Sequence, residues 1–276
     1  MFRALTIAGS DSCGGAGIQA DLKSFQANGV YGMSVITAVT VQNTIGVFGI
    51  QDITPEIIEG QINAIFEDIR VDAIKIGMVS KIESIKSIAQ SLRKVQDLPK
   101  IVLDPVMISK SGFNLLSRDA KDTLVKELFP LAELITPNLP EAEEILGIKI
   151  RNIEEMKEAA LMLRKLGPKS VLVKGGHLKN DSTDLLFDGE KFFLLPQERI
   201  NTNHTHGTGC TLSSAIAANL AKGMTIEESV KLGKKYITCA IEHGFKLGNG
   251  VGPTNHFYEL YNSSGRYEEI TGEKNK

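Results

Sequence analysis

Short runs of aliphatic and β-branched residues alternate with longer stretches of helical periodicity along most of this chain. Residues 5–8, 73–76 and 170–173 are typical of buried strands, which carry apolar side chains on both faces of a sheet. Stretches such as 82–95 and 154–166 place their apolar residues on one side of a helix. This alternation predicts an α/β fold with a mostly parallel central sheet.

An antiparallel edge is expected on that sheet. Residues 184–187 and 192–195 flank Asp188-Gly189, and an Asp-Gly pair between two apolar runs is a strong hairpin signal. The other predicted elements are strands at 34–41, 47–50, 101–103 and 134–136, a short helix from 140, and helices at 18–28, 55–69, 117–129, 208–222 and 225–243.

The charge balance argues against a polyanion as partner. The 31 Lys and Arg residues are matched by 33 Asp and Glu residues, and no basic cluster stands out. The apolar runs are shorter than the about 20 residues of a membrane helix, and the amino terminus turns polar at residue 9, too early for a signal peptide. We therefore expect a cytoplasmic enzyme with neither a nucleic-acid nor a membrane partner.

No Pro/Ser-rich linker divides the chain, so one domain is expected over residues 1–261, followed by a frayed polar tail over 262–276. The cysteines are Cys13, Cys210 and Cys239, an odd and widely spaced set that favours free thiols over disulfides or structural zinc.

A glycine-rich segment, residues 9–17, lies between the first strand and the first helix. Residues 15–20 satisfy the G-x-G-x-x-G/A spacing of dinucleotide-binding folds. Such a site also needs an acidic residue at the end of the second strand, whereas residues 37–42 contain none. A tight turn that needs small residues explains the glycines equally well.

A second glycine-rich segment, residues 204–211, opens a helix. The free backbone N–H groups of a helix N-terminus, together with the macrodipole, favour a phosphoryl group there. Cys210 lies in the first turn, where the pKa of a thiol is expected to fall. It is a candidate nucleophile, a candidate general base or a structural small residue.

Two rival chemistries use the same segment. A cysteine hydrolase could pair His206 with Cys210, although Leu212 stands where the nucleophile elbow needs glycine. A zinc site could combine His204, His206 and Cys210, but the sequence offers no clear fourth ligand.

Asp104 and Glu141 each follow a predicted strand, and the carboxyl ends of parallel strands are where α/β sheets collect ligands. Carboxylates there can hold magnesium near a nucleotide phosphate, while a turn before proline and a helix N-terminus are the structural alternatives. Lys174 ends another strand beside two glycines and can reach a phosphate. The sequence has no Walker A motif.

Together these segments resemble the ribokinase-like superfamily of small-molecule kinases, and within it the bacterial hydroxymethylpyrimidine/phosphomethylpyrimidine kinases of thiamine biosynthesis. The resemblance implies a three-layer α/β/α fold with a mostly parallel sheet. It also implies a homodimer that uses ATP and Mg²⁺ to phosphorylate 4-amino-5-hydroxymethyl-2-methylpyrimidine and then its monophosphate. The matching blocks are residues 6–11, 14–23, 42–44, 104–107, 136–142, 174–177 and 205–211.

The resemblance also implies residue roles. It assigns Gln42 to the pyrimidine and residues 207–210 to the phosphoryl group, with Cys210 where most ribokinase relatives carry an aspartate base. The implied site residues are Gly207, Gly209, Cys210 and Lys174 for catalysis; Asn138, Thr208, Gly209 and Lys174 for nucleotide phosphates; Asp104 and Glu141 for metal; and Gln42, Gly9, Asp21, Val41 and Met78 for substrate.

The chemistry of Gln42 supports a pyrimidine independently. A carboxamide both donates and accepts, so it can pair with the ring nitrogen and the adjacent amino group of an aminopyrimidine. A hydroxyl-bearing pyridine does not offer that pair. Two alternatives stay open: a pyridoxal kinase of the same subfamily, and a non-catalytic pyrimidine-binding protein.

Overall fold

The computed structural model describes residues 1–107, 116, 118–176 and 182–272. Ser117, at which a helix was expected to begin, and His177 of the Lys174 segment lie outside the described residues. Within the described ranges, no helix combines the length and the apolar character needed to cross a bilayer.

Nine strands of the described residues join one sheet, in the order β3-β2-β1-β4-β5-β6-β7-β8-β9. Neighbours from β2 to β7 pair in parallel, whereas β3, β8 and β9 pair antiparallel at the two edges. This topology confirms the predicted sheet and its antiparallel edge. The strands are β1 (Arg3–Ser10), β2 (Tyr31–Gln42), β3 (Val47–Asp52), β4 (Ala73–Ile76), β5 (Lys100–Leu103), β6 (Leu134–Ile135), β7 (Ser170–Val173), β8 (Asp184–Phe187) and β9 (Phe192–Leu195).

Helices cover both faces of the sheet. They are α1 (Gly17–Ala27), α2 (Pro55–Asp68), α3 (Ile82–Arg93), α4 (Arg118–Glu127), α5 (Leu139–Leu146), α6 (Ile153–Arg164), α7 (Thr208–Ala221), α8 (Ile226–Glu242), α9 (Tyr258–Ser263) and α10 (Tyr267–Thr271), with a 3₁₀ turn at Phe129–Leu131. One apolar core packs α2 to α6 against the sheet, and a second packs α1, α7 and α8 against the other face. These two cores make the three layers expected from the sequence.

Local chemistry accounts for several helix boundaries. Pro55 stands in the first turn of α2, where its missing N–H costs nothing. Thr225 and Glu228 form the reciprocal capping box that begins α8. Gly147 ends α5 in the left-handed conformation that glycine adopts without strain.

The expectation of a frayed polar tail from residue 262 to 276 is wrong for the part that the structure describes. Helix α10 spans Tyr267–Thr271, and Tyr267 is buried with its ring against the edge of Tyr258. A short element held by one buried aromatic residue has no extended apolar stripe, so periodicity alone does not reveal it.

A buried ion pair connects the helical layer of α1 and α7 to the sheet. Lys75 on β4 places its Nζ 2.8 Å from both carboxylate oxygens of Asp21 on α1. Thr6 Oγ1 on β1 and Ser214 Oγ on α7 donate to the same carboxylate over 2.6 and 2.7 Å. Both charged side chains are fully buried, so each supplies the counter-charge that makes burial of the other tolerable.

We expect Lys75→Met to lower the free energy of unfolding by about 3–5 kcal/mol, because it leaves the Asp21 carboxylate buried without its counter-charge. Adding Asp21→Asn should recover part of the loss. Urea denaturation measures both changes. The matched control is Glu59→Gln, which breaks the exposed pair with Lys94 and should cost less than about 1 kcal/mol. Equal losses in the buried and the exposed variant would contradict this account.

Candidate active site

The carboxyl ends of β5, β6 and β7 and the N-terminus of α7 meet at one edge of the sheet. Asp104 follows β5, Asn138 follows β6 and Lys174 follows β7. Parallel strands expose their carboxyl ends on the same side, which is why residues so distant in sequence converge. The structure therefore brings together most residues that the sequence singled out for phosphate and metal.

Lys174 and Asp104 form the centre of this cluster. Lys174 Nζ lies 2.9 Å from Asp104 Oδ1, to which Thr136 Oγ1 also donates over 2.9 Å. Burial alone would lower the pKa of Lys174. The charge of Asp104, with a smaller contribution from Glu141, nevertheless holds that pKa above its usual value. The ammonium is thus fixed in place and charged.

The two glycines at the start of α7 permit close approach of other groups. Gly207 has a φ of 79°, and a Cβ there would lie 1.7 Å from the carbonyl oxygen of Gly15. A Cβ on Gly209 would stand 3.1 Å from Asp104 Oδ2 and 3.3 Å from Lys174 Nζ. The first turn, whose N–H groups have no partner inside the helix, therefore lies directly against Lys174 and Asp104.

Thr208 closes that turn. Its Oγ1 donates to the carbonyl oxygen of Thr205 over 2.8 Å. The proton of the Thr208 hydroxyl is therefore already engaged in a hydrogen bond to the backbone.

Glu141 combines a structural role with an unusual charge state. It forms a capping box with Asn138: the Glu141 N–H donates to Asn138 Oδ1 over 2.9 Å, and the Asn138 N–H donates to Glu141 Oε2 over 2.8 Å. Burial raises the pKa of Glu141 to about 7, with the Asp104 charge acting in the same direction and Lys174 against it. Glu141, the predicted metal residue, is thus also the residue at a helix N-terminus that the structural alternative described.

Cys210 does not have the lowered pKa that its place in the first helical turn predicts. Burial raises the pKa of the thiol to about 11; Lys75 opposes the shift, and the carboxylates of Asp21 and Asp104 add to it. Desolvation thus outweighs the helix N-terminus. In the free protein the thiol is neutral.

The glycine-rich segment at residues 9–17 does not leave its backbone N–H groups free for a pyrophosphate. The N–H groups of Gly15 and Ala16 donate to Asp11 Oδ2 over 3.1 and 2.8 Å, and that of Cys13 donates to Asp11 Oδ1 over 3.0 Å. Although burial opposes it, the hydrogen bond and charge of His206 bring the pKa of Asp11 down to about 2. The hypothesis of a dinucleotide site is therefore wrong, because the backbone N–H groups of the loop bind the carboxylate of Asp11, which belongs to the loop itself.

A second group of predicted residues lies beside that loop. Gln42 Nε2 lies 3.5 Å from His206 Nε2, and Thr40 Oγ1 donates to Gln42 Oε1 over 3.3 Å. Gly9 adjoins Met78, since a Cβ on Gly9 would lie 3.3 Å from Met78 Sδ. Val41 is 63% exposed, so its side chain alone does not form a closed wall of a substrate pocket.

Asp21 is the sequence-predicted substrate residue that the structure contradicts. Its carboxylate is fully buried and is occupied by Lys75, Thr6 and Ser214. Sequence reasoning also missed Lys75, which pairs with Asp21 and whose charge acts on Cys210. The sequence contains a signal that could have identified Lys75, because it is the lone charged residue in an otherwise apolar buried strand.

The structure separates the residues of both rival chemistries. His206 Nε2 faces Asp11 and Cys13 rather than Cys210, which removes the basis for a His206–Cys210 hydrolase. Among the described residues, the only group of three or more His, Cys and acidic side chains close enough to share a metal is Asp11, Cys13 and His206. The zinc site of His204, His206 and Cys210 is therefore not formed.

Three layers around a mostly parallel sheet, with the N-terminus of α7 at its carboxyl edge, are the architecture of the ribokinase-like small-molecule kinases. Solved structures of this kind align closely. A phosphomethylpyrimidine kinase from Clostridium difficile 630 is 54% identical and aligns over 86% of this chain and 98% of its own, with a TM-score of 0.78. The structure of an ADP complex of Bacillus subtilis pyridoxal kinase is 40% identical and aligns over 94% of this chain and 99% of its own, with a TM-score of 0.86.

The chain belongs to the phosphomethylpyrimidine kinase family, whose model matches residues 11–255. A curated relative, the hydroxymethylpyrimidine/phosphomethylpyrimidine kinase of Bacillus subtilis (strain 168), is 46% identical over 267 residues, which are 95% of this chain and 97% of the relative. The family expected from the sequence motifs is confirmed.

The raised pKa of Glu141 predicts a pH dependence of stability. The unfolded chain releases this proton near pH 4.5 and the native protein near pH 7. Because the native state binds more protons in this window, its free energy of unfolding should fall as the pH rises from 4.5 to 7.

Glu141→Gln keeps a cap acceptor but removes the titration, so it is the matched control. Urea denaturation at several pH values should show wild type losing stability relative to Glu141→Gln as the pH rises through the window. A constant difference between the two proteins would refute the raised pKa.

Proposed function

We propose that this protein transfers a phosphoryl group from ATP to the hydroxymethyl group of 4-amino-5-hydroxymethyl-2-methylpyrimidine, and a second one to the resulting monophosphate. The observation that carries the proposal is the first turn of α7 against Lys174, where a Cβ on Gly209 would lie 3.3 Å from Nζ. Helix N–H groups and an ammonium placed together favour a phosphoryl group in transfer.

Phosphoryl transfer depends on positioning and charge neutralisation rather than on covalent chemistry by the protein. The N–H groups of Gly209 and Cys210 are suited to the equatorial oxygens of the migrating group, and Lys174 to the charge that develops on them. The buried Asp104 fixes the ammonium through its 2.9 Å contact. Asn138 lies beside Lys174 across a strand-like bridge, within reach of the same phosphates.

The residues fit a divalent cation. Asp104 and Glu141 are two carboxylates beside the single ammonium of Lys174, and burial, together with the Asp104 charge, raises the pKa of Glu141. Oxygen donors with excess negative charge are what Mg²⁺ prefers. We propose Asp104 and Glu141 as its residues; when bound, the ion neutralises phosphate charge.

We propose Cys210 as the acceptor of the proton from the substrate hydroxyl. Its pKa of about 11 in the free protein means that only a small ionised fraction can act as base. An aspartate side chain has an ordinary pKa of about 3.9, far below that of a thiol.

Gln42 is proposed to select the heterocycle by pairing with its amino group and ring nitrogen, with Gly9, Met78 and Val41 beside it. Pyridoxal is the second candidate, because the pyridoxal kinase of Bacillus subtilis aligns with a TM-score of 0.86. The carboxamide favours the pyrimidine over that pyridine.

The homodimer stays a prediction. Apolar side chains exposed on the β2–β3 edge support it, since Val41, Ile45 and Phe48 are each at least 60% exposed and such patches mark association surfaces. One domain over 1–261 and a cytoplasmic location also stay predictions.

Purified protein given ATP, Mg²⁺ and the hydroxymethylpyrimidine should form the monophosphate and then the diphosphate, with a higher kcat/KM than for pyridoxal. Gln42→Ala should lower kcat/KM for the pyrimidine by about tenfold or more, because a bidentate pair is lost, and should affect pyridoxal less. Tight binding of the pyrimidine without turnover would instead favour the non-catalytic alternative.

Cys210→Ala should lower kcat by about 100-fold or more, the usual contribution of a positioned base. Cys210→Asp should keep part of the activity, and Cys239→Ala, a second partly buried cysteine, should leave it unchanged. Single-turnover kinetics measure the chemical step. An undiminished rate in Cys210→Ala removes the thiol from the mechanism.

A further inference from the structure

Three potential metal ligands meet next to Gln42. Cys13 Sγ lies 3.6 Å from His206 Nε2 and 3.4 Å from Asp11 Oδ2, and His206 Nε2 lies 2.8 Å from Asp11 Oδ2. The Asp11 and His206 side chains are 4% and 10% exposed. Cys13 is partly exposed, which gives the cluster an entrance from solvent.

This cluster does not have the geometry of a catalytic triad. In a Cys–His–Asp relay the thiol and the carboxylate contact different nitrogens of the imidazole. Here both contact Nε2. Convergence of sulfur, nitrogen and oxygen on one point is the arrangement of a chelate.

The distances agree with a tetrahedral site. Zinc bonds of about 2.3 Å to sulfur and about 2.0–2.1 Å to nitrogen and oxygen place neighbouring ligand atoms about 3.3–3.6 Å apart. The two sulfur contacts, at 3.6 and 3.4 Å, already match. Only the 2.8 Å separation of His206 Nε2 and Asp11 Oδ2 has to open, by about 0.5 Å.

Gln42 lies beside the cluster and can offer a fourth ligand. Its Nε2 lies 3.5 Å from His206 Nε2, and half a turn of the amide exchanges that nitrogen for the carbonyl oxygen. A cation held here would occupy the carboxamide that we propose for the heterocycle.

We propose that Asp11, Cys13 and His206 form a chelating site for a thiophilic divalent cation, with Zn²⁺ as the type, and that the cation and the substrate heterocycle exclude each other at Gln42. On binding, the Cys13 thiol releases its proton to solvent, and the imidazole carries its proton on Nδ1 so that the Nε2 lone pair faces the ion. Mg²⁺ prefers oxygen ligands and is not retained. The chelate stands on its own, whereas the competition rests on the proposed function.

The protein itself contains the control for a direct test. Nucleotide-free wild type is alkylated with N-ethylmaleimide, with and without Zn²⁺, and each cysteine is followed by peptide mass spectrometry. We expect Zn²⁺ to slow modification of Cys13 by about tenfold or more and to leave Cys239 unchanged. Mg²⁺ should protect neither. Equal reactivity of Cys13 with and without Zn²⁺ overturns the site.

Affinity measured against a chromophoric chelator gives the second readout. Cys13→Ala should weaken Zn²⁺ binding by at least about tenfold, since even outer partners of a metal contribute that much, and Cys239→Ala should not. Equal Zn²⁺ affinity of Cys13→Ala and wild type also overturns the site.

The competition is measured separately. Addition of the hydroxymethylpyrimidine should weaken the apparent affinity for Zn²⁺, and binding of both together overturns the mutual exclusion. Failure of the proposed function has a different signature: Zn²⁺ protects Cys13 in a protein that phosphorylates neither heterocycle.

Discussion

The carboxylate of Asp21 joins four elements of the fold. It binds Lys75 of β4 through both oxygens, receives hydrogen bonds from Thr6 of β1 and Ser214 of α7, and itself belongs to α1. Two buried charges tolerate little displacement, because a broken pair leaves an uncompensated charge inside the protein. This contact therefore fixes α7 against the sheet and places its N-terminus at the carboxyl edge.

The chemistry proposed for the site depends on that placement. Once α7 is fixed, its first turn lies so close to Lys174 and Asp104 that a Cβ on residue 209 would be crowded, 3.1 Å from Asp104 Oδ2 and 3.3 Å from Lys174 Nζ. The same burial that assembles the group keeps the Cys210 thiol neutral and raises the pKa of Glu141 to about 7. Both shifts disfavour negative charge in a site that is proposed to receive phosphates and a cation.

The proposed substrate side is organised by a second buried carboxylate. Asp11 accepts the N–H groups of Cys13, Gly15 and Ala16 and contacts His206 from the start of α7. One acidic residue thus gives the glycine loop its shape and joins it to the helix proposed to hold the phosphoryl group. The same junction places Cys13 Sγ 3.6 Å and Gln42 Nε2 3.5 Å from His206 Nε2, at sequence spacings that no metal-binding motif predicts.

Periodicity and turn chemistry determined the elements, since residues such as Pro55, Thr225 and Glu228 act on their own neighbours. The rule for parallel strands also placed Asp104 and Lys174 at one edge. Tertiary structure alone decided the role of Asp21, whose partners stand 15, 54 and 193 residues away. It also decided the charge state of Cys210, because desolvation depends on which groups cover a side chain and is not encoded in local sequence.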